Sequence, residues 1–180
     1  MLENIDTSWT LFIDRDGVIN KEKREDYILN WNEFEFYDET KGALKILNQK
    51  FGTIVLVTNQ RGVGKGVMSL EDLEHIHFNM NNEIQDADGR IDKIYFCTDL
   101  DNTSPNRKPN IGMAFQAKQD FPSIDFTKTI MVGNRLSDMY FGRNAGMKTV
   151  YLDTTNPEVE IGHEAIDYRF DSLIDFAKVL

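Results

Sequence analysis

The chain has 180 residues, 41% of them hydrophobic, with a net charge of −10 at pH 7 and a sequence pI of about 4.7. That length suits one domain with a real core, and the acidic balance argues against nucleic acid, whose binding rests on basic residues meeting phosphates. The single cysteine, Cys97, excludes an internal disulfide and fits a reducing compartment. No apolar run approaches the ~18 residues of a membrane span. The opening Met1–Asp6 lacks a basic region followed by an apolar one, so no leader is expected. The expectation is a soluble cytoplasmic protein.

Apolar runs alternate with amphipathic stretches along the chain. Strands are predicted at Trp9–Asp14, Thr53–Thr58, Lys93–Cys97, Thr129–Gly133 and Thr149–Leu152. Between them, Glu39–Gln49 carries Ala43, Ile46 and Leu47 and stops before Gly52. Ser69–Asp88 opens with a capping box, Ser69-Leu-Glu-Asp72, and repeats Leu73, Ile76, Met80 and Ile84 near helical spacing. Ile111–Asp120, Leu136–Asn144 and Asp171–Leu180 complete the helices. Strand alternating with helix implies a doubly wound, mostly parallel Rossmann-like sheet with helices on both faces. No repeat or Pro/Gly-rich linker interrupts it, so residues 1–180 are expected to form a single domain. Two loops exceed structural need: 20–37, with Lys21, Lys23, Arg24, Tyr27 and Trp31, and 98–110, ending in Arg107-Lys108-Pro109. Both leave the same sheet edge, where long loops shape binding sites.

Chemistry-bearing residues collect at successive strand ends. The first strand runs out into Asp14-Arg15-Asp16-Gly17. Two carboxylates so close repel, and a divalent cation or a retained proton would offset that; a solvated turn is the alternative. The second ends in Thr58-Asn59-Gln60-Arg61-Gly62-Val63-Gly64-Lys65-Gly66, a hydroxyl, an amide and glycine N–H groups able to cradle an anion or simply to turn. It is not a P-loop, because Gly66 rather than Ser or Thr follows Lys65, and Val67 stands where a dinucleotide fingerprint needs its third glycine. The third is followed by Lys108, a point charge suited to a phosphoryl oxygen, or one more solvated base. The fourth ends in Gly133-Asn134-Arg135-Leu136-Ser137-Asp138, where Asn134 and Asp138 are placed on one face of a helical first turn, to meet a cation or to cap the helix.

In this order the four strand ends resemble the motifs of the haloacid-dehalogenase superfamily, over Leu11 to Asp138. Asp14-Arg-Asp-Gly-Val-Ile-Asn20, Thr58-Asn59-Gln60 with Gly62, and Arg107-Lys108-Pro109 with Gly112-Met113 resemble its D-glycero-D-manno-heptose 1,7-bisphosphate 7-phosphatase and histidinol-phosphate phosphatase subgroup. Asn32-Glu-Phe34-Glu-Phe36 leans toward the heptose branch. The resemblance implies a Mg²⁺-dependent phosphomonoesterase without an inserted cap domain. Asp14 would be the nucleophile that forms an aspartyl-phosphate, and Asp16 the general acid and base, a role that calls for a pKa nearer neutral. Thr58, Asn59, Gln60, Arg61 and Arg107 would hold phosphate and substrate, and Lys108 would neutralise developing charge. Asp14, Asp16, Asn134 and Asp138 would hold Mg²⁺. The implied partner is a small phosphorylated sugar or amino-alcohol, bound by a monomer that touches neither membrane nor nucleic acid. A phosphomutase would share both aspartates but usually with a cap, and a non-catalytic phosphate-binding homologue is the reading from another class.

Two departures stand out. The subgroup often carries a zinc loop after the third strand; here only Cys97 remains, with Asp99, Ser104 and Asn106 at the other ligand places, so no zinc is expected. Asn134 stands where the family usually has an aspartate, which removes charge from the Mg²⁺ site. Asn134→Asp is therefore expected to tighten Mg²⁺ activation, read from turnover against Mg²⁺ concentration.

Overall fold

The computed structural model describes every residue except Met1, Glu3, Arg24 and Glu25, so Arg24, counted above among the bases of the first long loop, lies outside the described residues. Six strands form one all-parallel sheet: β1 (Thr10–Ile13), β2 (Thr53–Asn59), β3 (Lys93–Cys97), β4 (Thr129–Gly133), β5 (Lys148–Leu152) and β6 (Tyr168–Phe170), in the order β3-β2-β1-β4-β5-β6. The helices are α1 (Thr40–Lys50), α2 (Arg61–Gly64), α3 (Leu70–Asp86), α4 (Gly112–Asp120), α5 (Leu136–Ala145) and α6 (Leu173–Lys178).

Strand periodicity divides the core in two. Successive side chains on a strand face opposite ways, so Leu11 and Ile13 join the layer of Leu44, Leu47, Leu73 and Phe176 from α1, α3 and α6. Phe12, between them, joins Val55, Met131, Met113 and Phe141, with α4 and α5. Helices thus cover both faces, as the doubly wound reading requires. No described helix is long and apolar enough to cross a membrane.

Most predicted elements lie within two residues of their places. Ser69 caps α3, with its side chain accepting from the Asp72 N–H and the Asp72 carboxylate accepting from the Ser69 N–H. Gly146 ends α5 with φ of 83°, a left-handed value glycine adopts without a Cβ clash. β6, α2 and two three-residue 3-10 turns, Trp31–Glu33 and Phe126–Lys128, were not predicted. β6 is only three residues long, too short for its alternation to register, and pairs with β5 at the sheet edge. The glycine-rich run after β2 is the four-residue helix α2 rather than an extended cradle. Starting from the centre, β1 is hydrogen-bonded to β2 on one side and β4 on the other, so the crossovers diverge from it. In doubly wound sheets the crevice opens beyond the carboxyl ends of the strands at that reversal, which is where Asp14 emerges.

Candidate active site

Asp14 continues the β1–β4 ladder by one step, its N–H donating to Val132 O at 3.0 Å. Gly17 then turns the chain with φ of 81°, and the Val18, Ile19 and Asn20 N–H groups gather on Arg15 O. The centre of the site is Lys108. Its Nζ lies 2.9 Å from Asp14 Oδ1, 2.7 Å from Asp138 Oδ1 and 2.8 Å from Val57 O, with the side chain 1% exposed. Asn59 delivers it there: the Asn59 side chain accepts from the Lys108 N–H and donates to Lys108 O, both at 3.1 Å. The Asn59 side chain thus has both ends of its amide committed to holding this loop, and the group expected at the phosphate is its backbone N–H.

The charges respond to burial and to one another. Burial disfavours the Lys108 ammonium, but Asp138 and Asp14 outweigh it and hold its pKa above the ordinary lysine value. Burial raises Asp14 to about 7, with Lys108 pulling down and Asp138 and Asp16 pushing up. Asp14 Oδ1 takes the contacts from Lys108 Nζ and, at 2.8 Å, the Arg15 N–H, leaving Oδ2 unengaged among the described residues.

Asp16 sits in a cage of donors. Arg15 Nη2 reaches Oδ1 and Oδ2 at 2.9 and 3.0 Å, Asn20 Nδ2 reaches Oδ1 at 3.0 Å, and Gln60 Nε2 reaches Oδ2 at 2.9 Å. Burial alone would raise its pKa; the Arg15 charge and these hydrogen bonds outweigh it, so Asp16 lies below the usual carboxylate range. This corrects the expectation of a near-neutral Asp16 in the protein without ligands. Gln60 is also reassigned. It is buried, and the same Nε2 that holds Asp16 donates to Thr58 Oγ1 at 2.8 Å, which leaves the Thr58 hydroxyl proton available to an anion.

The fourth strand end differs from its sequence reading. α5 begins at Leu136 with Arg135 as its N-cap, so Asn134 precedes the helix and shares no helical face with Asp138. Asp138 turns to Lys108 and accepts from the Arg135 N–H at 3.0 Å; its contacts are those of a group that holds the lysine. Asn134 is fully buried, and a Cβ on Gly17 would lie 2.0 Å from its Nδ2. Nδ2 donates to Thr155 Oγ1 and, at 3.1 Å, to Glu22 Oε1. A carboxylate only accepts, so Glu22 fixes the amide with its nitrogen inward, and Oδ1 is left buried without a partner. Glu22 was missed in the sequence because it lies among alternating charges in a loop with no periodicity. Its presence changes one expectation: aspartate at 134 would face it at like charge, so the Mg²⁺ gain of Asn134→Asp is expected in full only together with Glu22→Gln. Among the described residues no three His, Cys, Asp or Glu side chains cluster to hold a metal. The donors that fit Mg²⁺ are the Asp14 carboxylate, the Asp16 carbonyl and the orphaned Asn134 Oδ1, an all-oxygen set with few carboxylates.

A cavity of about 650 Å³ opens from Asp14 and Asp16 toward the two long loops. Of the cations lining it, Lys23 is paired with Glu33, Arg135 with Glu22, and Lys108 as above. Arg61 and Arg107 form no ion pair among the described residues. They converge instead on one neutral oxygen, Asn102 Oδ1, at 2.9 Å from Arg61 Nη2 and 3.1 Å from Arg107 Nε. Burial and the Arg61 charge push the Arg107 pKa down. The loop they share is fastened by side chains: Ser104 donates to Asp99, Cys97 Sγ lies 3.6 Å from Asp99 Oδ2, and Asn110 Nδ2 donates to Asn102 O and Ser104 O at 3.0 and 2.8 Å.

Behind Asp16, Arg15 Nη1 lies 3.2 Å from His77 Nε2. Burial and the Arg15 charge push His77 down from 6.5 to about 3, so the imidazole accepts this hydrogen bond as a neutral ring. The unfolded chain then binds the extra proton first. Stability from this group is complete above pH 6.5 and is lost as pH falls toward 3. Urea unfolding across that range is expected to show a decline that His77→Gln reduces.

The chain matches the polynucleotide kinase 3 phosphatase family over residues 6–177. It is 34% identical over 170 residues to the D-glycero-alpha-D-manno-heptose-1,7-bisphosphate 7-phosphatase of Mycobacterium bovis, covering 94% of this chain and 90% of the relative. To the Campylobacter jejuni protein of the same name it is 36% identical over 142 residues, 79% of this chain and 80% of the relative. The D,D-heptose 1,7-bisphosphate phosphatase of B. bronchiseptica, solved with magnesium and phosphate, has a TM-score of 0.86 and 25% identity, over 95% of this chain and 97% of that one. Matched from before its first strand into its last helix, the chain belongs to the polynucleotide kinase 3 phosphatase family, phosphatases of the haloacid-dehalogenase type.

Proposed function

We propose that the chain is a Mg²⁺-dependent phosphomonoesterase that removes the 7-phosphate of D-glycero-D-manno-heptose 1,7-bisphosphate. The observation that carries this reading is the Lys108 ammonium bound between Asp14 and Asp138 beside an unengaged Asp14 Oδ2. The relatives' substrate supports the choice of sugar.

The reaction follows from the residues. Asp14 Oδ2 attacks phosphorus, and the bond from phosphorus to the sugar oxygen breaks. Asp16 gives its proton to the departing alkoxide, and the aspartyl-phosphate remains. Asp16 then takes a proton from water as that water attacks phosphorus, which releases phosphate and restores Asp14. For this role Asp16 must be protonated when substrate is bound, and entry of a phosphate dianion beside it raises its pKa in the required direction. The Thr58 hydroxyl and the Asn59 N–H donate to the phosphoryl oxygens, while Lys108 balances their charge. Mg²⁺, held by Asp14, the Asp16 carbonyl and Asn134 Oδ1, would supply further positive charge at the phosphoryl group. Arg61 and Arg107 hold the phosphate that does not react. Two like charges converging on one amide oxygen suit a dianion, since each guanidinium can present two donors to it. With net charge −10 overall, the two arginines that form no ion pair among the described residues suit a small phosphate ester rather than a polymer. The reading goes with a cytoplasmic monomer without zinc.

The test is phosphate release from the heptose bisphosphate, histidinol phosphate and 4-nitrophenyl phosphate, with and without Mg²⁺. Turnover is expected to need Mg²⁺, to favour the bisphosphate and to vanish in Asp14→Asn. Binding without turnover on any ester would instead indicate a non-catalytic homologue. Arg61→Gln is expected to raise KM for the bisphosphate about tenfold, the scale of one charge-assisted hydrogen bond, with little change for 4-nitrophenyl phosphate.

A further inference from the structure

Arg15 and His77 are buried polar groups that the reaction above does not use. The Arg15 guanidinium is shared between two partners. Nη2 and Nε hold the Asp16 carboxylate, Nε at 3.2 Å from Oδ1, and Nη1 is held by His77 Nε2 at 3.2 Å. A guanidinium is planar and its donors form a rigid fork. Anchoring Nη1 therefore sets the plane in which the other two nitrogens reach Asp16. His77 is itself anchored by α3, whose Leu73, Ile76, Met80 and Ile84 are seated in the core, and its ring packs 5.8 Å from that of Phe96. The path from helix to carboxylate thus runs through two side chains, His77 and Arg15, each buried and each hydrogen-bonded to the next group along it.

The chemistry at position 77 is selective. A carboxylate there would draw the guanidinium charge away from Asp16. An apolar side chain would leave Nη1 buried without an acceptor. A neutral imidazole accepts one N–H and leaves the positive charge directed at Asp16.

We infer that His77 is a positioning residue for Asp16, acting through the Arg15 fork, and that it governs protonation of poor leaving groups. The inference rests on the phosphomonoesterase reading. Its signature is selective. The 4-nitrophenolate group departs with little need of a proton, whereas an alkoxide departs slowly without one. Misplacing Asp16 slows only the second at the step that expels the leaving group, which kcat/KM reports; hydrolysis of the aspartyl-phosphate, where Asp16 acts as base, is common to both esters.

The experiment measures kcat and KM for 4-nitrophenyl phosphate and for the heptose bisphosphate with the wild-type protein, His77→Leu and His77→Gln. In His77→Leu, kcat/KM for the bisphosphate is expected to fall about tenfold or more, within the range general acid catalysis supplies. Over the same change, kcat/KM for the aryl ester is expected to hold within about twofold. His77→Gln, whose amide oxygen can accept from Nη1, is expected to recover most of the loss. Equal loss of kcat/KM on both esters, or none, overturns the inference. If His77→Leu does not fold, Arg15→Lys carries the test: it keeps the charge but cannot hold both partners at once, and the same ester-selective loss is expected, with equal loss again overturning it. Wild-type protein inert on both esters would remove the parent reading, and this inference with it.

Discussion

The site depends on one buried ammonium. Lys108 is the point where β1, β2 and α5 are joined by charge, through Asp14, Val57 O and Asp138. A lone ammonium so deep would lose its proton, and two carboxylates so close would not both stay ionised. Together they satisfy one another, and each also receives a backbone N–H, from Arg15 and from Arg135. Removing Lys108 leaves two buried carboxylates without a cation, the costly way to break such a cluster, whereas removing either aspartate leaves a one-to-one pair. The arrangement is held in place from outside by the Asn59 amide, clamped on both sides of the Lys108 backbone.

The carboxylates of Asp14 and Asp16 are separated by their surroundings rather than by their spacing. Asp14 and Asp16 are two residues apart, yet one is pushed up and the other down. Asp14 is buried among carboxylates with a single cation, while Asp16 is buried among donors that include a full guanidinium. Each environment is built by residues from a different strand end. On the proposed function, a phosphate beside Asp16 would add negative charge and move it toward the protonation state that a general acid needs.

Charge is also distributed unevenly over the molecule. The chain is acidic overall, and most of its surface bases are paired, as Lys41 is with Glu83, Lys45 with Asp88 and Lys93 with Asp120. The arginines facing the cavity without such partners, Arg61 and Arg107, lie on α2 and on the loop after β3. The cavity lining balances five acidic against five basic side chains, so its attraction for a small anion rests on Arg61 and Arg107, whose charge is not spent on a carboxylate among the described residues.

Much of this was legible in the sequence. Periodicity located β1 to β5 and the longer helices, because strands buried on both faces read as continuous apolar runs and amphipathic helices repeat near 3.6 residues. The residue types at the strand ends identified the chemistry, and their order identified the resemblance. What the sequence could not determine is which groups meet. Gln60 was read as a substrate contact and holds Asp16; Asp138 was read as a cation ligand and holds Lys108; Glu22 and His77 carried no role and turned out to orient Asn134 and Arg15. Partners 62 and 112 residues apart in the chain leave no local signal. Local pattern determines where a strand ends and which functional group stands there, because backbone geometry and hydrophobic spacing are local. Only the tertiary structure decides whether that group faces substrate or supports a neighbour, because hydrogen bonds and pKa shifts depend on distances that crossovers, not spacing, bring about.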